Sequence, residues 1–94
     1  MDNEWVWIFV GAQAGFPGGV FTELERAEAW ILRHQLSGTL SRYPVDDGVY
    51  DHALRRHWFS PRTEEHRSSR FIERFSSASL EHYHYEGGMR DVGG

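Results

Sequence analysis

The sequence has no cysteine, so disulfides, thiol nucleophiles and thiolate zinc centres are all excluded. It has no lysine either: all ten basic residues are arginine. Arginine is the better fork for carboxylates and phosphates, but a GC-rich gene gives the same bias. Long apolar runs are missing as well. The longest, Trp5 to Val10, has six residues, against the roughly 20 that a membrane helix needs. Met1-Asp2-Asn3-Glu4 is acidic where a signal peptide would be basic. These absences set the expectation of a cytoplasmic protein with no membrane partner. No phosphate-binding G-x-G-x-x-G or P-loop pattern occurs, and no G-x-S-x-G nucleophile elbow.

What is present fits one small domain. The chain has 94 residues, 39% hydrophobic and 26% charged, enough for a core but a small one. Fourteen acids against ten bases give a net charge of −4. Residues 33–70 are mildly basic, with seven bases and five acids, yet the signs are interleaved. That is not the concentrated basic stripe of a nucleic-acid module, so a nucleic-acid partner is not expected.

Trp5-Val6-Trp7-Ile8-Phe9-Val10 is β-branched or aromatic throughout, a strong strand signal. Alternation sends Trp5, Trp7 and Phe9 to one face and Val6, Ile8 and Val10 to the other. The Gly-rich stretch Gly11–Gly19 turns the chain, and Gly19-Val20-Phe21 returns as the second arm of a hairpin. Thr22 and Glu25 fit a capping box for a helix over 23–34, whose stripe is Leu24, Ala27, Trp30 and Ile31. Thr39 to Tyr43 reads as a third strand ended by Pro44. Asp46 or Asp47 would cap a second helix carrying Val49, Ala53, Leu54, His57 and Trp58. Residues 61–70 offer no apolar anchor and read as a solvated loop. Phe71 to Phe75 suits a short helix, and Leu80 to Glu86 a final strand. Residues 87–94 read as a frayed tail after an ordered core of about 4–86.

The expected architecture is a single α+β domain over residues 1–94. Its mainly antiparallel sheet has about four strands, in the order β-β-α-β-α-(short α)-β, with two main helices on one face. Two helices cover one face of such a sheet and leave little for the other. Trp5, Trp7 and Phe9, with Tyr83 and Tyr85, are therefore the candidate partner-binding residues, on an aromatic face larger than a lone monomer usually exposes. The alternative is that residues 61–75 fold over that face and close the core.

His82-Tyr83-His84 is the most suggestive chemical motif. Histidines at i and i+2 of a strand point the same way, so His82 and His84 are the candidate metal ligands, with no third ligand nominated by spacing. No catalytic residues and no cofactor are assigned. Asp47 and Asp51 beside His52 explain themselves as helix-start residues.

The strings Gly19-Val20-Phe21-Thr22, Ala29-Trp30-Ile31, Leu36-Ser37-Gly38-Thr39-Leu40, Tyr43-Pro44, Gly48-Val49-Tyr50-Asp51 and Glu81-His82-Tyr83-His84-Tyr85-Glu86 together resemble an uncharacterised family of small bacterial domains. The resemblance runs from about Trp5 to Gly87. It implies a stand-alone bacterial cytoplasmic domain and carries over no activity and no site residue. The leading expectation is a non-enzymatic protein-binding domain, of the immunity or antitoxin kind, that binds another protein or itself as a homodimer. The alternative is a small metal-binding protein or enzyme centred on His82 and His84.

Overall fold

The structure, a computed structural model, describes residues 4–91. The fold is α+β. Five antiparallel strands form one sheet: β1 (Trp5–Gly11), β2 (Pro17–Phe21), β3 (Gly38–Pro44), β4 (His82–Glu86) and β5 (Met89–Arg90), in the spatial order β2-β1-β3-β4-β5. The helices are α1 (Leu24–His34), α2 (Val49–Arg55) and α3 (Ser69–Glu73), with a 3-10 turn over Glu65–Arg67. The chain divides into two compact units. Among the described residues, 4–45 and 80–91 make the sheet unit, which holds α1, and 46–79 make the second. Among the described residues no helix is long and apolar enough to cross a membrane.

The cross-strand register sets the core of the sheet unit. Directly opposed residues of antiparallel strands share a face. Trp7 opposes Phe21 and Arg42, Phe9 opposes Leu40, Leu40 opposes Tyr83, and Gly38 opposes Tyr85. This face meets α1, whose Ala27 and Ile31 are fully buried with Leu40. Phe9 meets the Trp30 ring edge-on at 5.7 Å, and Phe21 tilts against the same ring at 5.4 Å. The opposite face carries Val6, Ile8 and Val10 of β1, Thr39, Ser41 and Tyr43 of β3, and His82 and His84 of β4.

Several expectations need correction. Trp7, Phe9 and Tyr85 are not on an unroofed face: α1 covers their side of the sheet, and each is buried. Alternation placed these aromatics together but could not say which face the helix takes.

The chain also does not fray after Glu86. Gly87 and Gly88 take φ of 59° and 90° and turn it into β5, as a Gly-Gly pair between strands does. The Gly88 N–H donates to the Leu36 carbonyl at 2.8 Å, and the Gly87 N–H donates to Ser37 Oγ at 2.9 Å. A Cβ on Gly88 would lie 3.0 Å from Gln35 Cα, so only glycine lets the turn seat on the end of α1. Residues 92–94 of the expected tail lie outside the described residues.

Capping differs too. Glu23, not Thr22, precedes α1, and Gly48, not an aspartate, precedes α2; neither helix start has a side-chain cap.

The second unit is small and ring-rich. Tyr50 meets Phe59, Phe71 and Phe75 at centroid distances of 6.1, 6.3 and 5.4 Å, and its hydroxyl donates to the His66 carbonyl at 2.8 Å. His66 itself lies against Phe59 and Phe71. The stretch 61–70 is therefore not a plain solvated loop, because the His66 ring supplies the anchor that an apolar count overlooks. Ser68 caps α3 by accepting the Phe71 N–H at 3.1 Å.

Candidate functional site

Of the five aromatics expected to bind a partner, only Trp5 and Tyr83 keep partial exposure, and an arginine covers each. The Arg42 guanidinium sits 4.8 Å from the Trp5 ring centroid, and that of Arg90 sits 3.8 Å from the Tyr83 centroid. Tyr83 also stacks on Trp7 at 5.8 Å. Both arginines are tied to acids: Arg42 lies 3.7 Å from Glu81, and Arg90 bonds Glu28. This side of the sheet is a finished surface.

Glu28 gathers the α1 side. Its Oε2 accepts from the Tyr85 hydroxyl at 2.6 Å and from Arg90 Nε at 3.0 Å. Partial burial pushes the Glu28 carboxyl up, but the Tyr85 and Arg90 hydrogen bonds and the Arg90 charge outweigh it and hold it below its ordinary value. Burial, and then the bond to Glu28, pushes the Tyr85 phenol far above its ordinary value.

The hydrophobic groups that do face solvent lie elsewhere. Phe16, at the tip of the β1–β2 hairpin, is 82% exposed, and Val20 on β2 is 61% exposed. β2 is an edge strand, so one row of its backbone groups has no strand partner. Its sequence, Pro-Gly-Gly-Val-Phe, carries no charge. Glu23 and Glu25 follow immediately, both exposed. The described residues of the sheet unit include seven acids and four bases, whereas the second unit has six of each, so the acidic excess lies in the sheet unit. The exposed edge thus has an aromatic at one end and carboxylates at the other.

His82 and His84 are brought together, with ring centroids 5.3 Å apart. His82 Nδ1 lies 2.7 Å from the Leu80 carbonyl oxygen, and His84 Nδ1 lies 3.2 Å from Thr39 Oγ1. No group of three or more metal-ligating side chains occurs among the described residues.

In the second unit Asp47 does not cap α2. Its Oδ2 lies 3.0 Å from His52 Nδ1 and also bonds Arg55. The Arg55 hydrogen bond, opposed by burial and helped by His52, holds the Asp47 carboxyl below its ordinary value. The pair has the elements of an acid–base dyad. His52 is only 2% exposed, however, and packs edge-on to Trp58 at 5.2 Å. With no access for a substrate it latches the start of α2 to its body. Sequence spacing, Asp at i and His at i+5, gave a weak signal for this latch. An open cleft of about 360 Å³ lies in the same unit, lined by His57, Trp58, Phe59, Ser60, Arg62 and His66. No carboxylate lines it. His66 Nδ1 accepts the Arg62 N–H at 3.0 Å, which ties that ring to the loop.

Among known families, the one described as Domain of unknown function (DUF7710) matches residues 6–91, all of the sheet except Trp5. No curated protein and no solved structure matches the chain.

Proposed function

Because the chain belongs to the DUF7710 family, which carries no activity to transfer, we propose its function from the surface: a non-enzymatic protein-binding domain of the immunity or antitoxin type. The sheet unit binds a basic partner protein through the β2 edge and the hairpin tip at Phe16. One observation carries this reading, the uncharged, exposed edge strand set in the unit that holds the acidic excess. Main-chain pairing along β2 supplies register, and Phe16 and Val20 supply apolar anchors. Carboxylates such as Glu23 and Glu25 steer the encounter. The inward packing of Trp7, Phe9 and Tyr85 supports the move of the binding surface away from the aromatic face and onto this edge.

The test is co-expression with each protein encoded beside the gene, scored by growth protection and by co-purification. The expected result is protection by a chain that forms a stoichiometric complex, weakened as salt rises. Phe16→Asp with Val20→Asp should abolish the complex while the far-ultraviolet spectrum stays that of the parent chain. Protection that survives both substitutions, or failure of every pairing, overturns the proposal.

A further inference from the structure

The face of the sheet turned away from α1 holds a second constellation, independent of the β2 edge. His82 and His84 stand on it, opposite Ser41 and Thr39 of β3. A carbonyl oxygen only accepts, so the short contact from His82 Nδ1 to the Leu80 carbonyl puts the ring hydrogen on Nδ1. In the neutral ring Nε2 then keeps its lone pair. This is the arrangement in which a backbone carbonyl fixes the tautomer of a metal-binding histidine. Thr39 Oγ1 can accept from His84 Nδ1 and leave that ring in the same state. Rings 5.3 Å apart are close enough for the two Nε2 atoms to turn toward one ion. His84 is exposed and His82 half-buried, and their neighbours across the strand are small hydroxyl side chains.

Two imidazoles are half of what zinc takes in a closed tetrahedral site. Glu86 lies on the same face two residues on, yet no three-ligand group forms among the described residues. A twofold axis supplies the other half, because a self-complementary patch brings the same pair from another molecule. We propose that His82 and His84 form a zinc half-site, completed by the same two histidines of a second copy, so that one ion joins two chains. This assigns a ligand to the histidine pair and a metal dependence to self-association.

The experiment uses the full, untagged chain. Zinc chloride is titrated calorimetrically, and sedimentation velocity is run with zinc and after chelation. The expected stoichiometry is one zinc per two chains. The sedimenting mass should double from 11.0 kDa with zinc and return when the ion is chelated. His82→Ala and His84→Ala should each abolish the binding heat and the dimer, with near-ultraviolet spectra showing the aromatic core intact. His84→Asn provides a second variant should an alanine at that exposed site disturb folding. His57→Ala, on an exposed histidine of the second unit, should bind zinc as the parent chain does. No binding heat, one zinc per monomer without association, or binding that survives loss of both histidines overturns the proposal. The β2-edge reading fails separately, through Phe16 and Val20.

Discussion

Glu28 is where a single side chain holds the most. On α1 it joins the helix to Tyr85 of β4 and Arg90 of β5, so one carboxylate ties three elements together. Its depressed acidity makes it a determinant of acid stability. Unfolded, Glu28 would take up a proton near its ordinary value of 4.5; folded, it does so only at lower pH. Its contribution is thus complete above about 4.5 and is lost as pH falls through the folded value. Asp47 behaves the same way in the second unit. Glu28→Gln should lower stability at neutral pH by about 1 to 2 kcal/mol, the low end of the scale for hydrogen bonds to a charged group because solvent screens this partly exposed one. It should also flatten the acid limb of a urea-denaturation series, leaving the part owed to Asp47. An acid limb as steep as that of the parent chain would show that Glu28 is not what the protons attack.

The elements show which features of the chain can be read without coordinates. β1, α1, β3 and β4 follow from periodicity, because their apolar residues recur at intervals of two or 3.6 and only one geometry satisfies each pattern. Face choice was harder. β1 is apolar on both sides, and the decision lies in the strand beside it: Leu40 opposes Phe9, whereas Thr39 and Ser41 oppose Val10 and Ile8. Only the register tells which of these is core. β5 is not legible, because two residues carry no periodicity; its one signal is the Gly-Gly turn before it. The paired histidines of β4 were legible, since an i, i+2 spacing on a strand dictates a shared face. The β2 edge was not, because strand order is a tertiary fact. Gly38 tests how tightly the β1–β3 pairing is drawn. A Cβ there would lie 2.8 Å from Gly11 Cα and closer still to the Val10 carbonyl oxygen. Gly38→Ala should cost about 2 kcal/mol or more by urea denaturation, the scale of a forced backbone shift. Gly15→Ala, with nothing within 4 Å, should cost little.

At the scale of the whole molecule, the second unit is an insertion in what would otherwise be a hairpin. β3 and β4 are antiparallel neighbours, and the Arg42 N–H donates to the Glu81 carbonyl at 2.9 Å just before residues 46–79 depart and after they return. Closing that longer loop costs roughly 2 kcal/mol more than a tight turn, by the logarithmic dependence on length. A small fold can carry it. The two units differ in what stabilises them. β1 and β3 are each paired on both sides and buried against α1 through Phe9 and Leu40. α2 and α3 have seven and five residues, too short to persist by helix propensity and dependent on the rings around Tyr50. The second unit should therefore open without the sheet unit. Native-state hydrogen exchange should find the amides of His52, Arg56 and Trp58, which close the turns of α2, exchanging well before those of Phe9 and Leu40. Added urea should accelerate both groups, the first with the smaller slope, because opening the smaller unit exposes less surface than global unfolding. Equal protection in both units would mean that they unfold as one body.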